Sequence, residues 1–290
     1  MRGADEPVLT DDLGHARLDA RPLTAHQTTP PKAVRSLARA VVQVSSLPLI
    51  PSAVAIGVAL VVWQAAADRA ILPAYVLPLP SKVFAAWLQL LQNGALWRHV
   101  SATLSEALAG FAVALLAGMA IAYPLAKSET LSRLASPFIA TTQAMPMIAL
   151  APLLVMWFGL GLTSKVIICA LIVFFPILVS TMVGLRSIDR ELLEAARSLG
   201  ASARQTLWYV EFPLALRPVL GGVRLGLTLA MTGAIVGEFV ASDAGLGFLM
   251  ILSRTNFDAS MVFAAALTMA AISTLMYKFV GWLDQALITW

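Results

Sequence analysis

The sequence has little charge and almost no cysteine. Only 12% of its 290 residues are Asp, Glu, Lys or Arg, and 59% are hydrophobic, whereas soluble globular domains carry about 25% charged residues. The single cysteine, Cys169, excludes an intrachain disulfide and any metal site that needs two thiolates. The composition therefore argues against a soluble domain and favours a protein embedded in lipid.

The chain also lacks the motifs of nucleotide hydrolysis and of zinc proteases. No Gly is followed by Lys, so the phosphate-binding loop G-x-x-x-x-G-K-[ST] is absent. There is no His-Glu-x-x-His, and His15, His26 and His99 are scattered outside the predicted spans. These absences predict no catalytic residue, no metal and no cofactor. ATP hydrolysis by this chain is therefore not expected.

Long uncharged runs are what the sequence has instead. Residues 40–67, 107–126, 134–164, 166–185 and 259–277 contain no Asp, Glu, Lys or Arg. A helix needs about 20 residues to cross roughly 30 Å of hydrocarbon, and these runs show no polar face at helical spacing. They predict an all-α, polytopic membrane protein.

Six transmembrane helices are predicted, at 47–67, 104–126, 136–158, 166–185, 220–241 and 261–283. The fifth is irregular because only 13 uncharged residues separate Arg224 from Glu238. Residues 1–45 are polar and mixed in charge, which predicts a disordered cytoplasmic tail. Residues 46–290 are expected to form one transmembrane domain.

Lys and Arg predict the orientation of the chain, because they are enriched in cytoplasmic loops. With six spans and the amino terminus inside, five of the 20 basic residues lie outside, namely Arg69, Lys82, Arg98, Lys165 and Arg254, which leaves 15 inside. This asymmetry predicts a multi-pass protein of the cell inner (plasma) membrane with both termini in the cytoplasm. Residues 186–220 would then be cytoplasmic.

The polar stretch 186–220 predicts a helical hairpin between two spans. A helix is expected from Arg190 to Leu199, with Leu192, Ala195, Ala196 and Leu199 on one face. Gly200 would stop it, Ser202 would cap a second short helix, and Pro213 would end that helix. The physics of the sequence leaves two alternatives open: the hairpin packs on its own bundle, or it docks a cytoplasmic protein.

The hairpin resembles the EAA motif of binding-protein-dependent ABC importers, whose pattern is E-A-A-x3-G-x9-I-x-L-P. The matching positions are Glu194, Ala195, Ala196, Gly200 and Pro213, with Val210 for Ile and Phe212 for Leu. The resemblance implies a coupling helix that sits in a groove of an ATPase subunit. Glu194, Ala195, Ala196, Gly200 and Ala201 would lie at that contact.

The resemblance extends over residues 75–285, through LPLPSKVF, QAMPMIALAPLLVMWFGLGLTSK and GAIVGEFVASDAGLGFL. These stretches are similar to the nitrate, sulfonate and taurine branch of the importer permeases, whose relatives also carry thiamine-precursor pyrimidines or riboflavin. The resemblance implies a type I importer permease fold and a homodimer of this chain. It also implies two copies of an ATP-binding subunit and an extracytoplasmic solute-binding protein, with no nucleic acid bound and no enzymatic activity in this chain.

The alternative to an ATP-driven importer is a secondary transporter or channel. Such proteins place ionisable residues deep in the membrane, and Glu238 alone is expected to qualify here. Glu238 is read either as a gating or pathway group or as a carboxylate bonded to the Ser242–Gly247 turn.

Further pathway candidates are Thr228, Met231 and Thr232 on the fifth span and Met145-Pro146-Met147, where proline is expected to break the third. Gly222, Gly226, Gly233 and Gly237 are expected to allow close helix packing. The lack of basic residues at mid-membrane positions favours a neutral heterocycle over an anion as cargo.

Overall fold

A computed structural model describes residues 49–69, 72–240 and 242–287, and within these ranges the regular structure is helical. The predicted tail, 1–45, lies outside the described residues. The contacts divide the chain into two compact units: residues 49–57 are the described part of the first, and residues 58–287 are that of the second. The helix Leu49–Asp68 contains the boundary between the units, and the core and the site residues discussed below belong to the second unit.

Eleven α-helices are assigned in the described ranges. Their bounds are α1 Leu49–Asp68, α2 Pro80–Gln92, α3 Ala95–Lys127, α4 Glu129–Ala144, α5 Met147–Phe158, α6 Leu162–Arg186, α7 Arg190–Ser198, α8 Ala203–Thr206, α9 Phe212–Val240, α10 Leu246–Thr255 and α11 Ala259–Leu287. A π-helical turn, Leu207–Glu211, joins α8 to α9.

Four long apolar helices correspond to predicted spans. They cover Ala95–Lys127, Leu162–Arg186, Ala203–Val240 and Ala259–Ala286, so the second, fourth, fifth and sixth predicted spans each coincide with a helix long enough to cross. The third becomes the pair α4 and α5, which counts as a fifth crossing only if the two helices form one span. The first coincides with the shorter apolar helix Val54–Asp68. An all-helical membrane fold is confirmed, while the number of six remains a prediction.

The third predicted span is broken where proline was expected to break it. Helices α4 and α5 meet at 94°, and Met145 between them is extended, with φ −72° and ψ 129°. Pro146 has no N–H to continue the helical ladder and disfavours a helical residue before it. The new helix begins at once, with Ala149 N donating to Pro146 O at 2.8 Å.

The core of the bundle is the junction of α3, α6 and α9, and small residues make it possible. A Cβ on Gly233 would lie 2.8 Å from Cys169 Cα, and one on Gly222 would lie 2.5 Å from Ser180 Cβ. Ala107 of α3 and Ala230 of α9 are fully buried in the same cluster as Cys169 of α6. The predicted small-residue stripe therefore packs inside this chain.

Pro213 does not end the second hairpin helix, contrary to the sequence prediction. The helical path runs without interruption from Ala203 to Val240, and Pro213 is the second residue of α9. The π-helical turn directly before it shifts the hydrogen-bond ladder, with Phe212 N donating to Leu207 O. Such a turn lets the helix continue through a residue that lacks a donor.

Candidate functional site

The predicted hairpin is present, and side chains define both of its helices. Asp189 caps α7 by accepting from Glu191 N. At the other end, Gly200 has φ +82°; its N–H donates to Arg197 O at 2.9 Å, and Ala201 N donates to Ala196 O at 3.1 Å. This pair of bonds is a Schellman motif, which turns the chain sharply through a left-handed residue.

The second helix of the hairpin starts at a complete capping box. Ser202 Oγ accepts from Gln205 N, and Gln205 Oε1 accepts from Ser202 N at 2.8 Å. The turn between the helices is thus stabilised on both sides, independently of any partner. This local order favours a preformed surface.

Most of the face predicted for α7 is uncovered. Leu199 is 89% exposed and Leu192 49% exposed, while Ala195 is exposed and Ala196 half-buried. A Cβ added to Gly200 would meet no atom within 4 Å. The described part of the chain therefore leaves the turn open and these leucines largely uncovered.

A different residue anchors the hairpin to the bundle. Leu193 packs on the cluster of Ile188, Ala215 and Val219, which joins the hairpin to α9. The sequence left two alternatives for the hairpin, packing on its own bundle or docking another protein. Leu193 packs on the bundle, whereas the neighbouring face of α7 around Leu192 is exposed and free for a partner.

An ion pair fixes the base of the hairpin to α3. Lys127 Nζ donates to Glu211 Oε1 at 2.6 Å, and Glu211 is buried while Lys127 is partly exposed. A polar cavity of about 210 Å³ adjoins the pair, and Arg197, Ala201 and Thr206 contribute to its wall. The pair therefore joins the π-helical turn, which contains Glu211, to the carboxyl end of α3, where Lys127 lies.

A second polar cluster lies at the opposite end of the bundle, where α9 ends and α10 begins. Glu238 Oε1 accepts from Thr103 Oγ1 at 2.6 Å. Its other oxygen accepts from the backbone N–H groups of Gly247 and Phe248. Of the two sequence readings of Glu238, the carboxylate bonded to the following turn is the arrangement found.

A buried ion pair completes this cluster. Lys165 Nζ donates to Glu106 Oε1 at 2.6 Å and to Ser242 Oγ at 2.7 Å. The expectation that Glu238 alone is ionisable within the spans was wrong, because Glu106 lies in α3 and Lys165 in the first turn of α6, both buried. His99, expected outside the spans, is likewise a buried residue of α3.

The pathway candidates have different environments and form no single surface. Met231 is buried in the central core, whereas Thr232 beside it is exposed. Thr228 is half-buried and donates to Arg224 O of its own helix at 3.0 Å. Met145 and Pro146 are exposed at the break and Met147 is half-buried. Their role in a pathway remains a prediction.

Sequence reasoning missed Glu106, Lys165, Thr103 and Glu211. The ends of the uncharged runs hid the first two, because Glu106 precedes 107–126 and Lys165 separates two runs. A lysine that interrupts 52 residues otherwise free of charge, 134–185, was a signal for a buried partner. In the part of the chain that the structure describes, no group of three or more His, Cys, Asp or Glu is placed to hold a metal ion.

Comparison with known proteins adds the family. Residues 110–289 match the family described as the binding-protein-dependent transport system inner membrane component. The chain is 46% identical over 231 residues to the riboflavin transport system permease protein of Chloroflexus aurantiacus, covering 80% of this chain and 86% of that protein. It is 32% identical over 231 residues to the formylaminopyrimidine transport permease protein of Halalkalibacterium halodurans, covering 80% and 92%. It is 33% identical over 222 residues to the taurine transport system permease protein of Escherichia coli, covering 75% and 80%.

Solved structures show the same fold at low sequence identity. An inward-facing form of the MetNI methionine ABC transporter aligns with a TM-score of 0.57 at 19% identity, over 67% of this chain and 97% of the matched chain. An amino acid ABC transporter crystallised with histidines aligns with a TM-score of 0.53 at 20% identity, over 65% and 92%.

Proposed function

The chain belongs to the family of binding-protein-dependent transport system inner membrane components, and from that premise we propose that its 190–213 hairpin is the docking surface for a separate ATP-binding subunit. The chain itself is the permease of an ABC importer, as are the relatives that it resembles over most of its length. ATP hydrolysis belongs to the partner subunit, and a solute-binding protein delivers the cargo.

The observation that carries the docking proposal is the exposed row on α7. A loop that served only to connect two spans would bury its leucines, yet Leu199 is 89% exposed beside a turn that is already fully hydrogen-bonded. The small side chains of Ala195 and Ala201 and the bare Gly200 allow the backbone of a partner to approach closely. Glu194, also exposed, supplies a charge at the rim.

Movement of the docked subunit would reach the spans through two connections. Leu193 packs on Ala215 and Val219 of α9, and Glu211 is paired with Lys127 at the end of α3. Because α8, the π-helical turn and α9 form one continuous helical path, a push on the hairpin becomes a push along a span. This is how ATP-driven closure of the partner would change the shape of the bundle.

A co-purification experiment tests the docking surface. Gly200→Val forces a branched side chain into φ +82°, and Glu194→Lys reverses a rim charge. Both variants are expected to insert into the membrane as the wild type does and to lose the ATP-binding subunit. Glu129→Lys is the matched charge reversal outside the hairpin, at a pair that is about 80% exposed. Retention of the subunit by both hairpin variants would refute the docking assignment.

We further propose that two copies of this chain assemble, with the hairpins on the cytoplasmic side. Thr232 and Met145 are exposed in the single chain, and a facing second copy would convert such positions into the wall of a pathway. The excess of Lys and Arg at that side supports the orientation. Cross-linking between copies carrying Thr232→Cys would test the assembly, and a failure to form dimers would exclude it.

For the cargo, we propose a neutral heterocycle of the riboflavin or pyrimidine type over a sulfonate, taurine or nitrate-like anion. Two of the cations within the spans are already partnered: Lys165 pairs with Glu106, and Arg224 lies over Tyr277 with Asp284 nearby. The relative named for riboflavin transport, at 46% identity, agrees with this choice. Uptake of labelled riboflavin, with taurine as the competing anion, is the test; uptake of taurine alone would reverse the choice.

A further inference from the structure

The first turn of α10 is capped by side chains from other helices. Gly245, Leu246, Gly247 and Phe248 carry the four N–H groups that a helix leaves without internal partners. Gly245 N donates to His99 Nδ1 at 3.1 Å, and Leu246 N donates to Thr103 Oγ1 at 2.8 Å. The remaining two donate to Glu238 Oε2. We call His99, Thr103 and Glu238 the clamp.

The clamp holds α10 against two spans at once. His99 and Thr103 are one turn apart on α3, and Glu238 is near the end of α9, so all four bonds cross between elements. The carboxylate of Glu238 also faces the positive end of the helix dipole of α10. Lys165, through Ser242, fixes the chain that leads into α10. Loss of any clamp side chain would leave a backbone N–H group of the first turn of α10 without an acceptor and away from water.

Free space borders the same helix away from the clamp. An apolar groove of about 860 Å³, open to the surface of the single chain, is lined by Met250, Ile251 and Arg254 of α10, together with Phe239 and Phe263. Leu246 and Leu249 face the packed side and are buried. The helix is thus held by polar bonds at its amino end and has room along its body.

The other end of α10 is a strained joint. Phe257 has φ +56°, a left-handed conformation that a bulky residue adopts at a cost. It occupies the position after the helix that glycine normally takes, with Phe257 N donating to Arg254 O and Asp258 N to Ser253 O. Helix α10 is therefore held by hydrogen bonds at its amino end, followed by a strained residue at its carboxyl end, and bordered by open space. These three features would allow it to move relative to the bundle.

We propose that α10 is a gate at the end of the bundle opposite the docking hairpin, and that His99, Thr103 and Glu238 are the positioning residues that hold it in the described state. The proposal rests on the proposed importer function, because release of the clamp is the step that opens this end during transport. Loosening the clamp raises the free energy of the described state relative to the open one, so the open state becomes more populated and the ATP-binding subunit completes its cycle without waiting for a loaded solute-binding protein.

The test uses Thr103→Val, which keeps the shape of a fully buried side chain and removes the hydroxyl. Thr103→Ser is the control, because it keeps both hydrogen bonds. Each is combined with Ser253→Cys, a buried position on α10, in the complex purified with its ATP-binding subunit and reconstituted in proteoliposomes. Cys169, the only native cysteine, is buried and is therefore expected not to react with maleimide.

Two rates are measured: maleimide labelling of the new cysteine, and ATP hydrolysis without the solute-binding protein. Thr103→Val is expected to raise both rates by about fivefold or more, because both buried hydrogen bonds of the hydroxyl are lost. Thr103→Ser is expected to match the chain that carries Ser253→Cys alone. Equal rates in the two variants overturn the proposal. Faster labelling with slower hydrolysis and a lower unfolding temperature also overturns it, since a purely structural residue gives that result.

A second variant opens the clamp without altering a polar group. A Cβ on Gly247 would lie 2.8 Å from Glu238 Oε2, whereas one on Gly221, also helical, meets nothing within 4 Å. Gly247→Ala is expected to behave as Thr103→Val does and Gly221→Ala as the wild type; identical behaviour of the two contradicts the clamp. If no ATP-binding subunit co-purifies with the wild type, the proposed function fails. The maleimide labelling rates of the clamp variants, measured on this chain alone, then still show whether the clamp holds α10.

Discussion

Lys165 donates to Glu106 at 2.6 Å, and the two side chains, 7% and 4% exposed, join α6 to α3 inside the bundle. Glu106 Oε2 is buried and has no hydrogen-bond partner in the described part of the chain, so the stability of this pair depends on Lys165. Glu106→Gln leaves the ammonium buried without its counter-charge, and we expect it to cost about 3–5 kcal/mol. Thermal unfolding in detergent would measure the loss.

The exposed pair Glu129–Arg133, at 2.7 Å, is the internal control for that prediction. Its side chains are 78–80% exposed, and pairs in water contribute about 0–1 kcal/mol. Glu129→Gln should leave the unfolding temperature almost unchanged. Equal losses from Glu106→Gln and Glu129→Gln would contradict the importance given to burial.

Close contact of α9 with α6 predicts a steric effect at Gly233. Gly233→Ala would place a methyl group 2.8 Å from Cys169 Cα, which is backbone and cannot rotate away, so we expect a destabilisation of about 1–3 kcal/mol. Gly221→Ala, with open space around it, should be neutral or slightly stabilising, because alanine favours helix. The two unfolding temperatures are compared; a neutral Gly233→Ala would show that the helices are less closely packed than described.

The pathway candidates on the fifth span should separate into a packing residue and a pathway residue. Met231 is 1% exposed in the central core, so Met231→Ala should cost about 2–5 kcal/mol of stability. Thr232 is exposed, so Thr232→Trp should leave stability close to that of the wild type and block uptake of labelled riboflavin. Unimpaired uptake by a stable Thr232→Trp variant would remove Thr232 from the pathway.

The ion pair at the base of the hairpin should matter for coupling more than for docking. Glu211→Gln removes one charge from the Lys127 pair, a bond that joins two buried or partly buried groups at 2.6 Å. Such bonds are worth about 1.5–3 kcal/mol, and their loss should uncouple the hairpin from α3. We expect the ATP-binding subunit to stay bound while uptake per ATP hydrolysed falls. Lys127→Arg alone keeps the charge pair with Glu211 and should retain part of the uptake. Loss of the subunit in Glu211→Gln would contradict this division of roles.

Local rules of sequence accounted for the spans and for the hairpin turn. Uncharged runs located three of the four long helices, whereas Ala203–Val240 was predicted from an apolar stretch that Arg224 and Glu238 interrupt. Gly200 lies in the left-handed conformation predicted for it. Proline rules were accurate at Pro146, where the chain could bend freely. They failed at Pro213, because a π-helical turn let the helix continue through it.

The polar clusters were beyond the reach of these rules because they depend on which helices become neighbours. Thr103 and Glu238 are 135 positions apart, and Lys165 and Glu106 are 59 apart, with nothing in the local pattern to connect them. An isolated charge at the edge of an apolar run was visible, but its partner is set by the packing of α3, α6 and α9. The exposed leucines of α7 were similarly visible as a pattern, whereas their exposure required the fold.

The central claim is that the exposed turn around Gly200 touches the ATP-binding subunit, and site-specific cross-linking tests it most directly. Leu199→Cys, at the exposed leucine of the turn, and Phe257→Cys, 80% exposed beyond the far end of α10, are each labelled with benzophenone maleimide in the intact complex and irradiated. The light-activated benzophenone inserts into C–H bonds of a neighbouring chain, so the ATP-binding subunit needs no cysteine. We expect a covalent adduct with the ATP-binding subunit from Leu199→Cys and none from Phe257→Cys. An adduct from Phe257→Cys alone, or from neither position in a complex that hydrolyses ATP, would contradict it.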